Sequence, residues 1–377
     1  MASIQNRTKD GRGFVVHYRD PSGKQRTQSF KTEKEAKQFA AGVETDKVRG
    51  LFVAPTGGRV KLGERWAIYE KASVDLRNST RARNHSYAEN HILPRFGKVR
   101  IGDITKDDVQ QWVNELVASG LAPATVQKLH QLLARVLQDA VDARLLASTP
   151  CVRIRLPKSD HVEQRFLEPH EVELLSNCID ERFRVWVLLA AYSGLRAGEL
   201  FGLRRSRLDL VAGKVSVRQT LVDVNGTLEW HEPKTKAGVR DVPLPRFLVD
   251  ELLGQTAGLG PDDLVFEAPY GGPIRLGNFR RRVWVPAIAD AGLDPLRIHD
   301  LRHTAVAFWI AAGASPKEIA VRAGHRSVVT VLDRYGHLLQ TSEDHVTSAL
   351  DAMARGAARA SKPQGGEVVQ FGKKRGA

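Results

Sequence analysis

The C-terminal part of the chain gathers the side chains that could do chemistry. His299-Asp300-Leu301-Arg302-His303-Thr304 is followed by Gly324-His325 and then by Arg334-Tyr335-Gly336-His337. Upstream, Arg196 in Ser193-Gly194-Leu195-Arg196-Ala197-Gly198-Glu199-Leu200 and Lys234 in Pro233-Lys234-Thr235-Lys236 are further candidates for the same site. Arg196, Lys234, His299, Arg302 and His325 would surround one nucleophile, Tyr335, with cationic or hydrogen-bonding groups. Phosphoryl transfer without a metal requires such a set, because the charge on the phosphate oxygens must be held by side chains. Glu199 is the natural carboxylate to fix the Arg196 guanidinium, and Asp300 is a second supporting group. Nearness in sequence could make His303, His337 and Asp300 supports behind the site, but packing or helix capping explains them equally well.

Other chemistries fit poorly. His299 and His303 have the spacing of a helical metal pair, but position 300 is aspartate and the glutamate of the zinc-protease motif is absent. Only Cys151 and Cys178 are present, too few for a disulfide scaffold or a cysteine-rich zinc site. Gly271-Gly272 lacks the lysine-serine or lysine-threonine continuation of a phosphate-binding loop and reads as a turn. Neither a metal nor another cofactor is expected.

The elements that must position these groups lie between about 165 and 340. Pro169 suits a first helical turn before Val172, Leu174 and Leu175. Arg184 to Tyr192 is a strongly apolar helix, and Gly194 interrupts it so that Arg196 can be aimed into a cleft. Lys214 to Thr220 and Thr227 to Trp230 read as strands around an Asn225-Gly226 hairpin turn, with Arg240 to Leu244 as a third. Lys234 then sits at a strand end or in a loop, and Leu276 to Ile288 returns to helix. Beyond 340, Thr341 to Asp344 can cap a last helix with the stripe Val346, Ala349, Leu350 and Met353; a frayed basic tail is expected after Ala354.

The N-terminal third reads as two further units. Within 1–55, Ser3 to Arg7, Gly13 to Arg19 and Gln25 to Phe30 are short strands, followed by a helix that Thr32 caps with Glu35 reaching back. Arg7, Arg12, Arg19, Lys24 and Arg26 decorate those strands. They form either a solvated face or a sheet laid in a DNA groove. Over 60–150 the pattern is helical, with a helix from Ser79-Thr80 to Ile92 that Pro94 stops, a capping box at Thr105 to Asp108, and a stripe from Val126 to Ala140 behind Pro123. Arg81, Arg83, His85 and Lys128 are candidate phosphate contacts. Residues 151–164, with Arg153, Arg155 and Lys158, read as a basic interdomain linker.

The composition agrees. A chain of 377 residues with a net charge of +14 favours a polyanionic partner and is long enough for several domains. No signal peptide or transmembrane stretch is evident, so a soluble cytoplasmic protein without a membrane partner is expected, nucleoid-associated when bound to DNA.

Taken together, the ordered Arg, Lys, His-x-x-Arg, Gly-His and Tyr elements resemble the tyrosine recombinases of the phage integrase family, whose sites correspond to Arg196, Lys234, His299, Arg302, His325 and Tyr335. The resemblance covers roughly 165–340. It implies a mainly α multidomain fold with small β elements: a tyrosine-recombinase catalytic domain, preceded by a helical core-site-binding domain and a small sheet-plus-helix arm-site-binding domain. It also implies a mechanism. Tyr335 attacks a backbone phosphate to give a 3′-phosphotyrosine and a free 5′-hydroxyl, Arg196 and Arg302 clamp the oxygens, and His325 adds a hydrogen bond. Lys234 protonates the leaving oxygen and His299 serves as base or orienting group. Implied partners are double-stranded attachment sites, a homotetramer on synapsed DNA, and a DNA-bending or directionality accessory protein. Phage or other mobile-element integration is the leading function; a dimer resolvase, a transposase, a type IB topoisomerase, an idle DNA-binding protein and a metal nuclease, the last disfavoured by the lack of a clustered carboxylate pair, are the rivals.

Overall fold

A computed structural model describes residues 2–8, 13–19, 23–48, 57–159, 164–338 and 343–360. The chain divides into two compact units, Met1–Glu163 with Asp223–Thr227, and Gln164–Val222 with Leu228–Ala377. Among the described residues no helix is long and apolar enough to cross a membrane.

The first unit holds two hydrophobic cores. Strands β1 (Ser3–Arg7), β2 (Gly13–Arg19) and β3 (Gln25–Phe30) form an antiparallel sheet in that order. Helix α1 (Glu33–Val48) covers it through Ala36 and Val43, against Val16 and Tyr18. Thr32 and Glu35 exchange the expected capping bonds, at 3.3 and 3.2 Å. Because side chains alternate across a strand, the pairing of Tyr18 with Arg26 puts Arg26 on the helix side, while Arg7 and Arg19 share the open face. Arg12 lies outside the described residues, as do residues 49–56, in which the first expected boundary falls.

The second core belongs to α2 (Leu62–Ala72), α3 (Asn78–Tyr87), α4 (Leu93–Phe96), α5 (Lys106–Ala118) and α6 (Pro123–Asp142). Leu129, Leu133 and Leu137 on α6 are fully buried, each worth roughly 1.5–3 kcal/mol. The helix expected to stop at Pro94 does not stop. A π turn, Ala88–Ile92, precedes Pro94, which then occupies the first turn of α4. Proline lacks an N–H and its ring presses on the carbonyl four residues back, so a widened turn lets the chain stay helical. The basic stretch after Cys151 is held to this core: Gln110 bonds both the N–H and the carbonyl of Arg155, and Gln127 bonds the Pro157 carbonyl.

The second unit begins with α7 (Pro169–Cys178), α8 (Arg184–Ser193) and α9 (Ala197–Phe201). Its strands depart from expectation. The single strand foreseen over Lys214 to Thr220 breaks at Arg218-Gln219. Strands β4 (Leu208–Asp209), β5 (Lys214–Val217) and β8 (Arg240–Pro243) make one antiparallel sheet, and β6 (Thr220–Val224) with β7 (Thr227–His231) a separate ladder. Arg218 explains the break, since its side chain bonds the Val217 and Arg240 carbonyls and Asp241. Asn225 and Gly226 both take positive φ, as a two-residue hairpin turn requires.

Helices α10 (Arg246–Gln255), α11 (Leu276–Phe279), α12 (Val285–Asp290), α13 (Asp300–Ala311), α14 (Pro316–Ala323), α15 (Val329–Tyr335) and α16 (Glu343–Ala360) follow. The helix foreseen from Leu276 to Ile288 is interrupted by a π turn, Arg280–Trp284, immediately before the Val285-Pro286 start of α12. This repeats the device at Pro94. Helix α16 continues to Ala360, past the fraying expected at Ala354, and Leu350 and Met353 on it are exposed. Residues 361–377 lie outside the described residues.

Two apolar helices set the frame of the site. Helix α8 is buried along nearly its whole length and ends at Gly194, whose φ of +62° is left-handed. A Cβ there would lie 2.7 Å from the Trp309 ring and 3.3 Å from Ala305 on α13. Gly194→Ala therefore combines backbone strain with overpacking and should destabilise by about 2–4 kcal/mol. Thermal melting of the full chain checks this; an unchanged midpoint contradicts the close approach of α13 to α8.

Candidate active site

Each candidate side chain sits where an element begins or ends. Arg196 is the N-cap residue of α9; its backbone N–H donates to Glu199 Oε2 at 2.9 Å and its guanidinium to Oε1 at 2.8 Å. The Arg196 side chain keeps 41% of its surface open, while that of Glu199 keeps 4%. Burial works against the Glu199 charge, but hydrogen bonding and the charges of Arg240 and Arg196 prevail and hold its carboxyl below the usual range.

Arg302 lies on α13, 3% exposed, and its guanidinium donates to two carbonyls: Gly194 O at the end of α8, 2.5 Å away, and Ala323 O at the end of α14. Carbonyls at helix C-termini lack intrahelical donors and carry partial negative charge, so they suit a buried cation. Burial, then the charges of Arg196 and Arg240, push the Arg302 pKa down.

His299 precedes α13 and stays exposed at its surface. Crowding around the ring and the charges of Arg302 and Arg196 lower its pKa. His325 follows Gly324, a left-handed helix cap at φ +64°. Burial and the same two arginines bring its pKa to about 4, and its Nδ1 is buried without a partner among the described residues. Arg196, His299, Arg302 and His325 are thus brought into one electrostatic neighbourhood. Lys234 is not. It is exposed in the loop between β7 and β8 and is not among the largest causes of these shifts.

Tyr335 ends α15 and is 1% exposed. Its hydroxyl lies 2.6 Å from Nδ1 of His303, a residue whose role the sequence leaves open between support of the site and packing. Burial raises the tyrosine pKa, with Arg302 and Arg334 opposing, so the hydroxyl carries its proton. The His303 ring is 4% exposed and stands edge-on to His299 at 4.9 Å; burial, then His299, bring its pKa to about 4. His299 is therefore one ring removed from the tyrosine hydroxyl it was expected to serve.

The supporting carboxylates behave differently from each other. Glu199 holds Arg196 and the buried Arg240 together, whereas Asp300, 3% exposed, accepts from the backbone N–H of Arg297 and binds the Arg297 guanidinium. His337 is exposed and packs its ring 6.1 Å from Phe166. Among the described residues no group of three or more His, Cys, Asp or Glu is placed to hold a metal. In the first unit Arg81, Arg83 and Lys128 are exposed, and His85 bonds Glu70 at 2.8 Å.

A model of the phage integrase family matches residues 165–342, and a model of the phage integrase N-terminal SAM-like domain matches residues 61–117. A prophage phiRv2 integrase of Mycobacterium tuberculosis is 28% identical over 284 residues, 74% of this chain and 75% of the relative. The solved Tn1549 transposon integrase in complex with transposon right end DNA superposes with a TM-score of 0.67 at 18% identity, covering 78% of this chain and 100% of that one. A lambda integrase tetramer bound to a Holliday junction gives 0.56 at 19% identity, over 86% of this chain and 92% of that one.

Buried neutral histidines couple stability to pH. A histidine with a depressed folded pKa binds its proton more readily unfolded, so stability is full above about pH 6.5 and declines as pH falls toward about 4. His303→Asn keeps an acceptor for the tyrosine hydroxyl but cannot titrate. Its melting temperature should fall less steeply between pH 7 and 5 than that of the wild type; an identical slope contradicts a buried neutral His303.

Proposed function

This chain belongs to the phage integrase family of tyrosine recombinases and has their mixed α/β multidomain fold, and from that premise we propose that it breaks and rejoins duplex DNA through a 3′-phosphotyrosine at Tyr335. The reading rests on one observation. Arg196, His299, Arg302 and His325, drawn from three segments, share one field beside a tyrosine whose hydroxyl is already hydrogen-bonded.

In this scheme the Tyr335 oxygen forms a bond to the scissile phosphorus as the bond to O5′ breaks. Arg196, solvent-facing and braced by Glu199, binds the non-bridging oxygens, and Arg302 stabilises their growing charge from beneath. His325 offers a further hydrogen bond. Once Tyr335 has left His303, His299 receives its proton, and Lys234, on an exposed loop, returns a proton to the departing 5′-oxygen. A hydroxyl on a side chain 1% exposed cannot meet a phosphate, so the segment bearing Tyr335 must turn outward and exchange its His303 bond for the substrate. The phosphotyrosine conserves the energy of the broken backbone, and a 5′-hydroxyl from another strand rejoins it without ATP.

The assembly is read the same way. Attachment-site duplexes are the substrate and a homotetramer on synapsed DNA the working state, for integration and excision of a phage or other mobile element. A DNA-bending or directionality protein assists, in the cytoplasm at the nucleoid. The exposed Leu350 and Met353 of α16 suit a subunit contact, since a short apolar stripe needs burial. The net charge of +14 and exposed Arg81, Arg83 and Lys128 suit phosphate contacts.

The test is covalent capture. Mixed with attachment-site DNA nicked near the cleavage position, the wild-type chain should give a DNA-linked band on a denaturing gel, undiminished by EDTA, and Tyr335→Phe should give none while still binding DNA. Loss of the band in EDTA with rescue by a divalent metal, or an adduct in the phenylalanine variant, would overturn the scheme.

A further inference from the structure

Arg240, the first residue of β8, carries none of the expected roles, yet it is 6% exposed and its side chain only 3%. Four hydrogen bonds hold its guanidinium: Nη1 and Nη2 donate to Glu199 at 3.2 and 2.9 Å, Nη1 to Gly238 O at 3.1 Å, and Nε to Arg322 O at 2.7 Å. Each bond ends on a segment that carries a proposed functional group. Glu199 braces Arg196, Gly238 closes the loop bearing Lys234, and Arg322 lies in the last turn of α14, just ahead of His325. The stem reaches the same turn: a Cβ on Gly324 would lie 3.1 Å from Arg240 Cδ and 2.9 Å from Ala237 O.

Filling space does not account for such a residue. Burying a guanidinium costs several kcal/mol, and hydrophobic side chains of similar volume often replace a buried ion pair at no loss of stability. What an arginine adds is a rigid planar fork that can meet a carboxylate with two donors and a helix-end carbonyl with a third. A lysine has three donors, but all on one nitrogen, and it cannot span the carboxylate and both carbonyls in this geometry.

We propose that Arg240 is a positioning residue for strand transfer, fixing Arg196 and the His325 turn relative to one another so that both meet the same phosphate. The proposal rests on the strand-transfer reading. It assigns Arg240 no contact with DNA; the residue acts through Glu199 and through the end of α14.

The test uses the full chain on nicked attachment-site DNA, with adduct formation timed at saturating DNA and binding measured by fluorescence anisotropy. Arg240→Met and the more conservative Arg240→Lys should each slow adduct formation by about 100-fold, the scale of losing one preorganised donor, with affinity changed less than about 3-fold. Coupling separates positioning from mere stability. If Arg240 acts in part through Arg196, the double variant R196K/R240K should lose clearly less than the product of the two single losses. Losses that multiply, or an Arg240→Lys rate within about 3-fold of wild type, would overturn the proposal. If Arg240→Met fails to fold, Arg240→Lys, which keeps the charge, carries the test. Absence of any adduct from the wild type would sink the strand-transfer reading itself, and a normal wild-type adduct with unaffected Arg240 variants would sink this proposal alone.

Discussion

One carboxylate makes the site possible. Glu199 is buried between Arg196 and Arg240, and the charges of both are felt by the still more deeply buried Arg302. Three guanidiniums so close would repel one another and disfavour the folded chain. Glu199 supplies the opposing formal charge, and the carbonyls of Gly194, Ala323, Gly238 and Arg322 supply partial ones. The helices therefore end where the cations need them. Gly194 and Gly324 terminate α8 and α14 in left-handed conformations, and those same two helix ends receive Arg302.

That arrangement leaves positive charge preorganised rather than assembled on demand. Arg302 has few conformations open to it, and Arg196 is tied at both backbone and side chain. Field strength is then available to a bound phosphate without reorganisation of the protein. The proposed nucleophile is treated in the opposite way. Tyr335 is stored protonated against His303, at the end of a short helix, where one hydrogen bond and ring packing hold it. A fixed clamp and a movable nucleophile divide binding from chemistry.

Much of this was legible in the sequence because it depends on local rules. The Asn225-Gly226 turn, the Thr105 and Thr32 caps and the apolar faces of α6 and α8 follow from short-range preferences. The order of Arg196, Lys234, His299, Arg302, His325 and Tyr335 carried the family resemblance. His303 was harder, since its bond to Tyr335 joins segments 32 residues apart. Its spacing from His299, which puts both on one helical face, was the available signal. Arg240 also left a trace: Arg240 and Val242 alternate with the exposed Asp241 and Pro243, so an arginine stood on the buried face of a strand. The two π turns could have been suspected only from Pro94 and Pro286 inside otherwise helical patterns. The split of the β-sheet depends on Arg218 bonding across to β8, which no local pattern encodes.

The central claim is that Tyr335 is the atom source of the protein–DNA bond. Adduct trapped on nicked attachment-site DNA can be digested with protease and nuclease, and the modified peptide sequenced by mass spectrometry. The account predicts a nucleotide joined through its 3′-phosphate to Tyr335. Linkage at another residue, such as Tyr192 or Tyr270, or through a 5′-phosphate, would contradict it.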